Sequence, residues 1–197
     1  MGETEFVGNV LCLDFANTVN KRPNPDRDTL ASVKAFSQWA EAAALRLAGE
    51  PLRGTPAPGS SADLAQARRL REAIYRVFSA VASGGEPRPA DFAAIVTTYA
   101  SALAAAQPTH DGSHFSLSWP PPYTLRQITW MIAASAAQLL LNGPLNRVGE
   151  CPSCHWLFLD TSRGGKRRWC SMAVCGARVK AQRYYAAKAS DRRRPFP

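Results

Sequence analysis

Four cysteines in the C-terminal quarter constrain this chain more than any other feature. Cys151, Cys154, Cys170 and Cys175 follow the spacing C-x2-C-x15-C-x4-C. Two close pairs separated by a hairpin-sized spacer suit one tetrahedral Zn²⁺ with thiolate ligands at about 2.3 Å. The alternative is a coincidence of four free thiols, but the paired spacing favours a metal. Because four thiolates complete the coordination sphere, we expect a structural ion with no open position for catalysis.

The residues around these cysteines predict a small zinc finger made of a β-hairpin and a helix. We expect a knuckle at residues 151–154, a strand at 156–160, a turn at 162–166 and a returning strand at 167–169. A helix is expected to start between Cys170 and Cys175 and to run to about Lys188. This is the element order of a treble-clef finger. His155 directly follows Cys154, and we expect it to point away from the metal.

The net charge of +9 is concentrated in the same region. Residues 1–146 contain 12 Lys and Arg and 12 Asp and Glu, whereas residues 147–197 contain 12 and 3. The entire excess therefore lies in the last 51 residues. Such an asymmetry indicates where an anionic partner would dock, and nucleic acid is the first candidate.

Eight basic residues of this region are the candidate nucleic-acid contacts. They are Arg163, Lys166, Arg167 and Arg168 around the predicted hairpin, and Arg178, Lys180, Arg183 and Lys188 on the predicted helix. Val174, Ala181 and Tyr185 are expected to form an apolar side of that helix. For each basic residue the alternative is a solvated charge or a hydrogen bond that supports the zinc site. We expect DNA as the partner; RNA, or an acidic protein partner, is the alternative.

Residues 1–146 predict a mainly helical domain with a small β element, an α+β arrangement. Apolar residues at helical spacing predict helices over residues 29–48, from Ser61 as N-cap to 83, over 89–103 and over 124–142. Alternation at residues 115–119 after Asp111-Gly112 predicts a hairpin. Residues 6–19 fit a helix or a strand, and we favour the helix. Cys12, in an apolar stretch, is expected to be a buried small hydrophobe.

Asp14 and Asn17 are polar residues within an apolar segment, and the spacing i, i+3 would place them on one helix face. Two interpretations remain open for them. They either form a buried hydrogen-bond network that fixes the helix, or they line a pocket for a small effector that alters DNA affinity.

The sequence also argues against several classes of function. It contains no glycine-rich phosphate loop and no nucleophile elbow, so we do not expect an enzyme. It has no membrane-spanning stretch and no signal pattern, so we expect a cytoplasmic protein. A single finger reads few base pairs, so we also consider a homodimer.

The run from Cys151 to Arg178 resembles the CGNR zinc finger, and the preceding domain resembles the ABATE domain, with Leu13-Asp14-Phe15-Ala16-Asn17-Thr18 as its N-terminal motif. Members of this family are regarded as bacterial, stress-responsive transcription regulators, which implies DNA binding. The resulting organisation is an ABATE-like domain over residues 1–146, a finger over 147–190 and a basic tail over 191–197. One departure is Ala177, which stands where the name-giving motif has Asn.

Overall fold

In the computed structural model, residues 6–22, 25, 27–48 and 59–191 are described, and they are mostly helical. The first elements are short: helix α1 (Leu11–Ala16), strand β1 (Val19–Asn20) and strand β2 (Arg27–Asp28), which pairs antiparallel with β1. The expected helix over residues 6–19 is therefore confirmed only for six residues. Asn17 is the C-cap of α1 and lies beyond it, so it does not share a helix face with Asp14.

Four longer helices follow: α2 (Val33–Ala48), α3 (Ser61–Ala82), α4 (Pro89–Ala104) and α5 (Leu125–Asn142). The predicted start of α2 at residue 29 is wrong. The N–H of Thr29 donates to the carbonyl of Thr18 and the N–H of Leu30 to the carboxylate of Asp28, so these residues extend the β1–β2 pairing and do not start a helix.

Residues close in sequence to each helix end determine where the helices begin and end. Ser60, one residue before the predicted cap, forms a capping box with Asp63 at the start of α3. Thr124 forms the predicted capping box with Gln127 at the start of α5. Gly84, with φ of +73°, follows α3 in a left-handed conformation that glycine adopts without strain. Pro89 opens α4 because the first helical position needs no N–H donor.

Helix α5 is central to the domain, as its apolar sequence predicts. It packs against α1, α2, α3 and α4. Ile132, Ala133 and Ala136 of α5 are fully buried in a core that also contains Phe15, and Cys12 is completely buried in the same core. Burial raises the pKa of the Cys12 thiol to about 12, as expected for a cysteine that serves as a small hydrophobe.

The predicted hairpin between α4 and α5 is present. Strands β3 (Gln107–His110) and β4 (Phe115–Ser118) pair antiparallel, with Gln107 opposite Ser118 and His110 opposite Phe115. Its apolar residues, however, face solvent rather than the core.

The C-terminal part contains the expected hairpin and helix, but one hairpin strand differs from the prediction. Strand β5 (Val148–Glu150) pairs antiparallel with β6 (Leu157–Leu159), so the hairpin turns at the cysteine knuckle. The predicted returning strand at residues 167–169 is wrong, because these residues have no strand pairing. A π-helical turn (Met172–Gly176) leads into α6 (Ala177–Asp191). Residues 192–197 of the predicted basic tail lie outside the described residues.

The finger and the helical domain share one core. Val148 of β5 and Leu157 of β6 are buried in the same apolar cluster as the residues of α1, α3 and α5. The finger is therefore held by packing as well as by its cysteines. No helix in the described part of the chain combines the length and the apolar character needed to cross a bilayer.

Candidate metal centre and nucleic-acid interface

The knuckle at the β5–β6 turn places the first two cysteines side by side. The N–H of Cys151 donates to the carbonyl of Trp156 at 2.9 Å, and the N–H of His155 donates to the carbonyl of Cys151 at 2.8 Å. His155 closes this turn in a left-handed conformation with φ of +61°. The turn leaves the two sulfurs pointing to the same side of the hairpin, where the second pair of cysteines completes the cluster.

The second pair comes from the entry to α6. Cys170 ends a loop, and Cys175 lies in the π-helical turn, where the hydroxyl of Ser171 accepts a hydrogen bond from the N–H of Val174. Gly176 is buried next to the side chain of Met172, and a Cβ at this position would lie 2.4 Å from the Met172 sulfur. A larger residue would therefore require the exposed side chain of Met172 to move.

The four sulfurs fit one tetrahedral zinc ion. All four cysteines are buried, and their Sγ atoms lie within 4.8 Å of one another. The separations are 3.4 Å between Cys154 and Cys170 and 3.6 Å between Cys170 and Cys175. Four ligands at about 2.3 Å from a tetrahedral Zn²⁺ lie about 3.8 Å apart, which is close to these distances. These residues hold one structural Zn²⁺.

The crowding of the sulfurs makes a cation necessary. Hydrogen bonds among the sulfurs raise the pKa of the Cys154 thiol to about 12 and also raise the pKa of Cys170, whereas they lower the pKa of Cys151. Four adjacent thiolates therefore do not form without a positive charge between them. A divalent ion supplies that charge, and its binding releases protons.

His155 points away from this cluster, as predicted. Its Nδ1 lies 2.6 Å from an Oε1 of Glu150, which also accepts hydrogen bonds from Tyr75 and Ser79 of α3. Glu150 thus connects the knuckle to the helical domain.

Arg167, one of the eight candidate nucleic-acid contacts, is bound within the protein. Its guanidinium donates to the carbonyls of Val7 at 2.9 Å, Trp169 at 3.0 Å and Cys170, and it stacks on the Phe158 ring at 4.4 Å. Its backbone N–H donates to the carboxylate of Asp160 at 2.8 Å. The residue therefore joins the N-terminal segment, the hairpin and the third zinc ligand.

The other seven candidate residues are exposed. Arg163, Lys166 and Arg168 lie in the loop before Cys170, and Arg178, Lys180, Arg183 and Lys188 lie on α6. None of the seven forms an ion pair with a described residue. At 100° per residue, the four cations on α6 are distributed around the helix rather than along one face.

The expected apolar side of α6 is not covered by the described chain. Val174 is 40% exposed and Tyr185 is 68% exposed. Every residue of α6 whose side chain is described is exposed except Val179, which is half-buried. Within the described part of the chain, nothing covers this helix beyond its first turn.

Asn17 is used to attach the finger to the helical domain. Its amide nitrogen donates to the carbonyl of Leu157 at 2.8 Å, and its amide oxygen accepts from the N–H of Leu157 at 2.8 Å. Trp156 adds a hydrogen bond from its indole to the carbonyl of Val19, and Asn9 donates to the carbonyl of Leu159. The side chain of Asn17 thus pairs with β6 as a neighbouring strand would.

Asp14 lies beside this junction and is 2% exposed. One carboxylate oxygen accepts the N–H of Gly8 at 2.7 Å, while the other has no hydrogen-bond partner among the described residues. The cavity next to Asp14 and Asn17 has a volume of about 10 Å³, which is too small for a metabolite. These contacts support the buried-network interpretation of the two residues. Burial also raises the pKa of Asp14 to about 6.

The substitution Asp14→Asn is expected to stabilise the protein above pH 6. Between about pH 4 and pH 6 the folded chain retains a proton that the unfolded chain has released, so the unfolding free energy of the wild type falls as pH rises. The amide of Asn cannot ionise but can still accept the Gly8 N–H. We expect a gain of roughly 2–3 kcal/mol at pH 8 that shrinks towards pH 5.

Urea unfolding of both zinc-loaded proteins from pH 5 to pH 8 measures this gain. Because both proteins contain the same zinc site, the difference between them isolates Asp14. A difference that is independent of pH, or a variant less stable than the wild type at pH 8, would contradict the raised pKa.

The roles of Arg167 and Asn17 were not evident from the sequence. Arg167 lies in a run of basic residues, and nothing in the sequence distinguishes it from its basic neighbours. Asn17 forms its hydrogen bonds with Leu157, which is 140 positions away in the sequence. Only the motif around Asn17, a polar residue among apolar ones, indicated that it needed a partner.

Comparison with known families agrees with both resemblances. The model of the ABATE family, described as "Putative stress-induced transcription regulator", matches residues 9–143. The model of the CGNR zinc finger matches residues 147–188. Ala177, the departure from the name-giving motif, is the exposed first residue of α6. No curated protein matches the chain. The chain belongs to the ABATE family and carries a CGNR zinc finger after the ABATE domain.

Proposed function

We propose that this protein is a DNA-binding transcription regulator that docks α6 of its zinc finger in the major groove of DNA. The observation that carries the proposal is the exposure of α6 together with its four cations, none of which forms an ion pair with a described residue. A helix packed along a domain offers one free face, whereas a helix entering the groove needs free flanks on both sides.

The dimensions suit this mode of binding. An α-helix with its side chains is about 10–12 Å across, and the major groove of B-DNA is about 12 Å wide. Cations distributed around the helix would then meet phosphates of both strands. The loop residues Arg163, Lys166 and Arg168 add positive charge beside the entry of the helix.

Two alternatives from the sequence are less well supported by this geometry. The major groove of A-form RNA is deep and narrow, so a helix does not enter it as it enters B-DNA. An acidic protein partner would require a complementary surface, but not a helix free on both flanks. We also propose no catalytic role for the zinc, because thiolates occupy all four coordination positions.

Titration of labelled duplex DNA with the zinc-loaded protein at several salt concentrations tests the proposal. Each phosphate contact contributes about 0.9 to the slope of log K against log salt, so five contacts would give a slope of roughly −4.5. Lys180→Ala and Arg183→Ala are each expected to weaken binding and to lower the slope by about 0.9.

The matched controls are Lys34→Ala on α2 and Arg69→Ala on α3, which remove exposed cations from the helical domain. They are expected to leave affinity and slope unchanged. A flat salt response of the wild type would contradict the proposal, as would equal effects of the finger and control variants. Stronger binding to duplex RNA than to duplex DNA would favour the RNA alternative.

A further inference from the structure

We propose that the face formed by α4, the β3–β4 hairpin and one side of α5 is a homodimer interface, on which a second copy of this chain docks. We call this surface the apolar face. The inference goes beyond the proposed function, and it rests on the helical domain rather than on the finger.

The first observation is that the β3–β4 hairpin is exposed to solvent. All but one of the residues in β3 and β4 are exposed, and the side chains of Phe115 and Leu117 are 79% and 51% exposed. β3 and β4 pair only with each other among the described strands. A two-stranded hairpin without a covered apolar face is marginally stable in water. A partner that covers Phe115 and Leu117 would supply the missing burial.

The second observation is a groove on the same face. It has a volume of about 480 Å³ and lies between α4, the hairpin and α5, with Tyr99, Leu103, Phe115, Leu117 and Trp119 among its lining residues. It is large enough for an aromatic side chain. The indole of Trp119 holds one wall in place by donating to the carbonyl of Ala102 at 3.0 Å.

A projecting aromatic residue and an apolar groove on one face suit a twofold interface. In a twofold dimer the same patch is used by both subunits, so Phe115, which lines the groove of its own copy and is 79% exposed, can also contact the groove of the other copy. The contact closes with two copies and does not continue into a filament. This self-complementarity favours a second copy of the chain over an unrelated partner.

The low charge of this region also favours a second copy of the chain as the partner. Between residues 92 and 146, only Asp111 at the hairpin turn and Arg126 at the start of α5 are Asp, Glu, Lys or Arg. A charged partner would find few complementary groups on these segments, whereas an identical, nearly neutral surface needs none. The basic finger and the neutral face therefore suit different partners.

The exposed apolar area is also of the right size. Six large apolar side chains on these elements are exposed: Phe92, Val96, Leu103, Phe115, Leu117 and Leu141. A side chain of this size has an accessible surface of roughly 180 Å² when fully exposed. Weighted by their exposed fractions, the six side chains together present roughly 600 Å² of apolar surface. That is at the upper end of patches on ordinary monomers, about 300–600 Å², and approaches the roughly 800 Å² that each partner buries in a standard interface.

Sedimentation velocity of the zinc-loaded full chain, without nucleic acid, tests the inference. We expect the wild type to sediment with twice the 21.4 kDa mass of one chain at the upper end of a range from about 1 μM to about 200 μM. Phe115→Glu on the hairpin and Val96→Glu on α4 are each expected to raise the dimer dissociation constant at least 30-fold. Both positions are exposed, so circular dichroism should show unchanged folding.

Leu45→Glu is the matched control, because Leu45 is an exposed leucine on α2, outside the apolar face. It should leave dimerisation unchanged. A wild type that stays monomeric over the whole range overturns the inference and leaves the face to another protein or an apolar ligand. A dimer that persists in both glutamate variants also overturns it. Failure of DNA binding would not affect this result, because the assay contains no DNA.

Discussion

Chelation of zinc is expected to unfold residues 160–191 while the helices of the ABATE domain remain folded. The loop before Cys170 and helix α6 bury little apolar surface, and no described residue covers α6 beyond its first turn. The metal therefore supplies most of the free energy that orders them, on the order of 10 kcal/mol in comparable sites.

The cysteine spacing by itself predicts that chelation unfolds residues 150–185. In the structure, the segment that depends on the metal begins later, at residue 160, because β5 and β6 are held independently of the metal. Val148 and Leu157 lie in the main core, and Asn17 and Trp156 attach the hairpin by hydrogen bonds. We therefore expect the β5–β6 pair to keep partial protection after metal removal.

Hydrogen exchange measured by mass spectrometry on zinc-loaded and chelated protein checks this result. Cys170→Ser is expected to reproduce the chelated pattern, and Cys12→Ala is the control that removes a cysteine outside the cluster. Cys12→Ala should retain one zinc ion per chain. Chelated protein with full protection in α6 would show that the metal does not order this helix.

Arg167→Ala is expected to destabilise the zinc-loaded protein by about 3 kcal/mol. The substitution removes the donor to the carbonyls of Val7, Trp169 and Cys170, and the stacking on Phe158. Hydrogen bonds from a charged group are worth about 1.5–3 kcal/mol each, and partly buried acceptors left without a donor add to the cost. Because Cys170 loses one of its supports, chelators should also remove zinc faster.

Arg168→Ala is the matched control, one residue further along the chain. The Arg168 side chain is exposed, and its guanidinium lies 5.2 Å from the Trp169 ring centroid without a hydrogen bond among the described residues. We expect a change in unfolding free energy within about 0.5 kcal/mol. Urea unfolding followed by tryptophan fluorescence compares the two variants, and equal effects on stability would contradict the internal role of Arg167.

The comparison of these two arginines shows which residue roles the sequence alone does not predict. Both are basic residues in the same run, and the sequence assigns both to nucleic-acid binding. Only the packing of the loop against Phe158 and Val7 separates them. Local patterns predicted the central helix α5, its capping box and the zinc ligands, because these depend on spacing and on neighbouring residues. The start of α2 and the partner of β6 were predicted wrongly, because both depend on contacts between distant segments.

The sequence by itself therefore determined the zinc ligands, the mainly helical first domain and the concentration of positive charge in the last 51 residues. Cysteine spacing, helical periodicity and charge are properties of short segments, and they persist whatever the chain packs against. Tertiary structure alone decided that Asn17 attaches the finger to the helical domain, that no described residue covers α6 beyond its first turn and that Phe115 faces solvent. These features depend on which surfaces meet, and hydrophobic packing between residues far apart in sequence determines that outcome.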